Sequence, residues 1–118
     1  MDNSQYGYKV YNAGNENFYA SRLNYEDTLT FISEIEDISI DELYIEECNI
    51  DKYGMYFPIG RAKDIDKLNI YIDSFCNYQI FEDYLEKWIT YREALKRIKE
   101  NPQEWDCGDI FMISTSNR

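Results

Sequence analysis

Apolar and polar positions along the chain change period several times, and each change marks a predicted element. Tyr6 to Tyr11 (YGYKVY) alternates and is rich in aromatic residues, which predicts a strand. Asn12-Ala13-Gly14-Asn15 has turn chemistry, with Gly14 free to take positive φ. Phe18 to Leu23 predicts a second short strand and hence a hairpin. Asn24 is placed to cap a helix over Tyr25 to Asp37, with Asp27 at the positive end of its dipole. Tyr25, Leu29, Ile32 and Glu36 share one side of that helix, with Phe31 and Ile35 adjacent.

Leu43 to Ile50 (LYIEECNI) predicts a strand with imperfect alternation, because Glu46 and Glu47 are consecutive and a regular strand turns one to each face. Tyr53 to Gly60 reads as an aromatic loop or strand pair punctuated by Gly and Pro. Ile65, Leu68, Ile72 and Phe75 recur at helical spacing and predict a helix from Ile65 to Phe75. The strongest helical pattern runs from Phe81 to Glu100. Phe81, Tyr84, Leu85, Trp88, Leu95 and Ile98 share a face, acids stand first, Arg92, Lys96, Arg97 and Lys99 stand last, and Asn101-Pro102 stops it. Asp109 to Ser114 predicts a final strand, followed by a frayed end.

The expected fold is α+β, a small antiparallel sheet packed with about three helices. Residues 1–60 form an acidic α+β part and 61–118 a mainly helical part, or the two make one domain. No internal repeat or low-complexity segment breaks the pattern.

Composition narrows the function. The chain has 118 residues, 12 Lys+Arg, 23 Asp+Glu and no His, for a formal charge of −11. Without histidine there is no Ser-His-Asp triad, no Cys-His nucleophile and no His-based zinc site. The acidity argues against direct nucleic-acid binding, which needs a basic footprint. With 44% hydrophobic and 17% aromatic residues, the chain has matter for a core. No apolar run approaches the roughly 18–20 residues of a membrane span, and Met1 to Gln5 lacks the character of a signal peptide. Cys48, Cys76 and Cys107 are odd in number and widely spaced, as expected of reduced thiols in a bacterial cytoplasm. No glycine-rich phosphate loop, calcium loop or nuclease-type carboxylate–x–lysine spacing occurs, so no cofactor, no metal and no catalysis are expected.

Placement of the charge is more informative than its total. Ten acids lie between Glu26 and Asp51, and no Lys or Arg occurs from Leu23 through Asp51. The remaining 13 acids face 12 bases, so nearly the whole net charge belongs to one 26-residue stretch. Like charges crowded together oppose compaction. A solvated acidic face is one reading, and a surface shaped for a basic partner is the other. Carboxylates at i and i+4 of a helix stand roughly 6 Å apart, and those at i and i+2 of a strand about 6.6–6.8 Å apart. Such a row imitates backbone phosphates. Glu34, Asp37, Asp41, Glu42, Glu46, Glu47 and Asp51 are the candidate partner-binding residues.

The order of short motifs resembles the ArdA antirestriction proteins. Tyr11-Asn12-Ala13-Gly14 stands where those have a strand entering a Tyr-Asn-x-Gly turn. Glu46-Glu47-Cys48-Asn49-Ile50-Asp51-Lys52-Tyr53 stands at their paired acids followed by Ile and Tyr, Leu68-Asn69 at a helical Leu-Asn pair, and Phe81 to Glu100 loosely at a helical middle segment. The resemblance covers roughly residues 6–100. Asn17, Phe18 and Tyr19 replace the family's second glycine and tryptophan, and its C-terminal dimerising part has no counterpart, which implies a short form. The resemblance implies an acidic mimic of B-form DNA that blocks a basic nucleic-acid-binding surface. Its target would be a type I restriction-modification enzyme or, by drift, a CRISPR effector. The expected inhibitor belongs to a phage or mobile element and is a monomer or weak dimer with no membrane association. The alternative is an immunity protein or antitoxin bound to one cognate toxin nuclease.

Overall fold

A computed structural model describes residues 2–14, 17–64, 77–101 and 108–115. The chain is α+β, but with two antiparallel sheets rather than one. Strands β1 (Lys9–Asn12), β2 (Asn17–Ser21), β3 (Glu46–Glu47) and β7 (Ile110–Thr115) form a four-stranded sheet in the order β3-β1-β2-β7. Strands β4 (Gly54–Arg61), β5 (Tyr78–Phe81) and β6 (Tyr84–Thr90) form a three-stranded sheet in the order β4-β6-β5. Two α-helices, α1 (Tyr25–Glu36) and α2 (Tyr91–Glu100), and a short 3-10 turn at Ala62–Asp64 complete the described residues. The helix expected over Ile65–Phe75 lies outside them.

Side-chain alternation splits the four-stranded sheet between two cores. Val10 and Ala20 point to one face, into a cluster with Ile50, Met55, Phe57, Ile89, Leu95, Ile98 and Ile113. Tyr11, Ala13 and Tyr19 point to the other, onto Ile32 of α1 and the loop residues Leu43 and Ile45. A period of two is what lets one strand serve both cores. The first core draws on both the 1–60 and the 61–118 stretches, with α2 and the three-stranded sheet laid against the first sheet.

Several elements follow the sequence reading. Gly14 has φ +87°, and its N–H donates to Asn12 Oδ1 at 2.9 Å. Asn24 Oδ1 accepts from the Asp27 N–H at 2.8 Å, capping α1. The first strand starts later than expected, because Tyr6 and Gly7 both take positive φ in a turn between Gln5 and Tyr8. Tyr53 to Gly60 resolves into one edge strand. Pro58 is tolerated there because the edge needs no further N–H donor, and the register shifts between Pro58 and Gly60.

Two expectations are corrected. The predicted Phe81–Glu100 helix begins only at Tyr91; residues 84–90 are strand β6, joined to β5 by a turn at Glu82-Asp83 with Glu82 at φ 56°. Tyr84, Leu85 and Trp88 fit helical spacing, but Trp88, Ile89 and Thr90 favour a strand, and the pairing Tyr56↔Trp88, Met55↔Ile89 realises it. Thr90 then caps α2, its hydroxyl accepting from the Glu93 N–H at 3.3 Å. Among the described residues of 61–118, strand therefore exceeds helix. The expected strand over Leu43–Ile50 also shrinks to Glu46–Glu47, and both glutamates are exposed. Leu43 and Ile45 feed one core while Cys48 and Ile50 feed the other, so the chain changes phase at the two glutamates and turns both to solvent.

Gly54 marks the closest backbone approach. A Cβ there would lie 2.0 Å from the Ile89 carbonyl oxygen and 2.9 Å from Thr90 Cα. Neither neighbour is a flexible side-chain tip. Gly54→Ala is expected to destabilise the protein by about 2–3 kcal/mol through forced displacement of β4 from β6. Chemical denaturation of the variant tests this, and an unchanged midpoint would contradict the packing.

Candidate acidic interface

The ten acids of residues 26–51 sit on α1, on the loop after it and on the edge of the first sheet. All seven candidate residues, Glu34, Asp37, Asp41, Glu42, Glu46, Glu47 and Asp51, are exposed. They divide into two groups.

Glu47 and Asp51 are compensated by bases from outside the acidic stretch. Lys9 Nζ stands 3.5 Å from Glu47, which also accepts from Asn3 Nδ2 at 2.7 Å. Arg92 grips Asp51 with both ends of its fork, Nε to Oδ1 at 2.6 Å and one terminal nitrogen to Oδ2 at 3.0 Å. The same guanidinium donates to the carbonyls of Asp2 and Ser4 and to Gln5 Oε1. Arg92 thus ties the N-terminal segment and the end of the acidic stretch to α2. Much of the basic end of this helix has similar local work: Arg97 pairs with Glu93 at 3.3 Å, and the Lys99 ammonium lies over the Tyr6 ring.

Glu34, Asp37, Asp41, Glu42 and Glu46 make no ion pair among the described residues. Glu36, by contrast, is turned inward. Its carboxylate accepts from the Tyr19 hydroxyl and from Asn17 Nδ2. Burial, reinforced by that carboxylate, holds the Tyr19 phenol far above its usual range. Burial pushes the Tyr91 phenol up to about 12.

Asp37 occupies the least favourable place for a carboxylate. It caps the C-terminus of α1 in the left-handed region, φ 54° and ψ 45°, and the last turn holds no basic residue. A negative charge there meets the negative end of the dipole, and a left-handed side chain adds strain that glycine would relieve.

Large apolar side chains are exposed among these acids. Phe31 is 38%, Ile35 52%, Ile40 45% and Tyr44 72% accessible. Sequence periodicity had grouped Phe31 and Ile35 beside the buried stripe of α1. Of the expected stripe, Ile32 is buried and Leu29 packs against the same core while Tyr25 is exposed, and Thr28, outside that stripe, is buried and bonds Ser21 through their hydroxyls at 2.7 Å.

Among the described residues no three His, Cys, Asp or Glu side chains gather closely enough to hold a metal ion. Cys48 is a buried free thiol whose pKa burial raises, so it is a poor nucleophile. Cys76 and Cys107 lie outside the described residues. A cleft of about 760 Å³ runs between β4, β6 and β7, with Phe57, Tyr84, Glu86, Arg97 and Met112 among its lining; nothing in the sequence had marked it. No described helix is long and apolar enough to cross a membrane. No family model, curated protein or solved structure matches this chain.

The Asp51–Arg92 bond holds the Asp51 carboxyl below the ordinary carboxylate range. A lowered folded-state pKa contributes stability above the unfolded value of about 4, and that contribution is lost as pH falls through the folded value. The melting-temperature gap between wild type and Asp51→Asn should therefore be widest near pH 6 and close below about pH 4. Melts across that range test it; a gap independent of pH would show the pair to be idle.

Proposed function

We propose that the protein is a non-catalytic, stoichiometric inhibitor that presents its acidic stretch to the basic nucleic-acid-binding surface of another protein. One observation carries this reading. Five exposed carboxylates, from Glu34 to Glu46, have no ion pair among the described residues, in a stretch from which Lys and Arg are absent. Asp37 stands where charge lowers stability, which selection for solubility alone does not require. Exposed carboxylates at the end of α1, on the loop after it and on a sheet edge offer a basic cleft the negative charge that phosphates offer it.

The bacterial defence enzymes that grip DNA or RNA in such clefts, type I restriction-modification complexes and CRISPR effectors, are the partner class proposed. The resemblance to ArdA proteins supports the first. An immunity protein against a single toxin nuclease would use the same electrostatics. The large apolar residues exposed beside the acids favour that second reading to the extent that they demand one matched partner surface.

Two outcomes are expected. The triple variant Glu34→Lys, Asp41→Lys, Glu42→Lys should fold normally by circular dichroism and lose inhibition of a type I restriction enzyme or CRISPR nuclease in vitro. Wild-type affinity should fall at least about tenfold between 50 and 200 mM salt. Full inhibition by the triple variant, or a flat salt response, would end the mimicry reading. Neutralisation of one toxin nuclease alone would decide for the immunity protein. Second, Asp37→Gly should raise stability by about 1 kcal/mol while weakening inhibition; a variant both more stable and equally inhibitory would remove Asp37 from the interface.

A further inference from the structure

The outward side of α1 carries two parallel rows at i, i+4 spacing. One is Glu26, Thr30 and Glu34; the other is Asp27, Phe31 and Ile35. All six are exposed or half-exposed. The helix does not need Phe31 and Ile35 to dock on its own sheet, because Thr28 and Ile32 fill that contact. Thr30 turns its hydroxyl back onto the Glu26 carbonyl at 3.0 Å, so it presents a methyl group rather than a free donor. The result is an apolar ridge bordered by carboxylates.

A phosphate-binding cleft satisfies the carboxylates and has nothing for the ridge. Phosphates have no apolar counterpart, so a surface that imitates them alone would carry polar residues at positions 31 and 35. Aromatic and aliphatic side chains ringed by charge are instead the composition of a protein–protein contact.

We propose that the outer face of α1 docks a protein surface in which Lys or Arg side chains border an apolar cleft, and that Phe31 and Ile35 enter that cleft. This rests on the reading that the acidic stretch faces a basic partner, and it adds what kind of partner: a protein recognised by apolar fit as well as by charge. The charge sets the approach and its salt dependence, and the two apolar side chains set discrimination among basic surfaces.

Two synthetic helical peptides test this on the full chain. Both carry the same number of lysines; one places leucines at 3–4 spacing and the other replaces each leucine with serine. By fluorescence anisotropy at 50 mM salt, the Lys/Leu peptide should bind at least tenfold more tightly than the Lys/Ser peptide. Phe31→Ser and Ile35→Ser, made singly and checked for fold, should each remove most of that advantage. Ile80→Ser, at an exposed apolar position on β5, should leave it intact. An advantage that survives both α1 variants overturns the proposal. Equal, salt-sensitive binding of the two peptides overturns it while leaving the acidic reading standing. Binding of neither peptide overturns both.

Discussion

The start of α2 is the junction on which the remainder of the fold depends. Its first turn has N–H groups that no helical carbonyl can reach. Here the Tyr91 N–H donates to the Tyr53 carbonyl at 3.0 Å and the Arg92 N–H to the Ile50 carbonyl at 3.1 Å. The Ile50 N–H in turn donates to Asn3 Oδ1 at 2.9 Å, and Asn3 Nδ2 reaches the Cys48 carbonyl at 2.7 Å. With the Arg92 fork on Asp51, this joins the N-terminal segment, the far end of the acidic stretch and the β6–α2 corner. The stretch is thereby pinned at its C-terminal end by α2 and at its start by the Asn24 cap. What lies between is free to carry charge.

That division explains how a stretch of ten acids coexists with a packed core. Apolar residues are interleaved with the acids and go inward by turns: Ile32 from α1, Leu43 and Ile45 to one side of the sheet, Cys48 and Ile50 to the other. Glu36 alone among the ten is drawn under cover, and two donors meet it. Glu47 and Asp51, nearest the sheet and α2, borrow Lys9 and Arg92 from neighbouring elements. Compensation is therefore placed where the stretch is anchored. Among the described residues no ion pair reaches Glu34, Asp37, Asp41, Glu42 or Glu46.

The parts of the fold readable in the sequence were those set by local rules. Asn24 and Asp27 announce α1, Asn12 to Gly14 announces the first hairpin, and Ile110 to Ser114 alternates into a strand. The parts that were not readable depend on partners far along the chain. Tyr84 to Thr90 carries both a helical and a strand pattern, and pairing with Gly54 to Arg61 decides between them. The hairpin turn that separates β5 from β6 uses Glu82 at positive φ, where a glycine or asparagine would have advertised it. The acid-to-base polarity that suggested one long helix is real only from Glu93 onward. For the site, the sequence located the acids, but the split between paired and unpaired carboxylates needed Lys9 and Arg92 brought back from 38 and 41 residues away.

The exposed apolar row on α1 sharpens what an acidic surface of this kind must do. Charge alone discriminates weakly, because every nucleic-acid-binding protein offers a basic cleft. It accelerates encounter and is blunted by salt. A surface that relied on it would bind many such clefts loosely, and the cost in stability at Asp37 would return little selectivity. In the proposed docking, Phe31 and Ile35 would change this balance. Each loses exposed apolar area only when a partner fits around it, so their contribution depends on shape rather than on net charge. On the proposed reading, a ridge of two apolar side chains one helical turn apart, bordered by Glu34 and Asp27, adds a shape requirement to the charge of the surface.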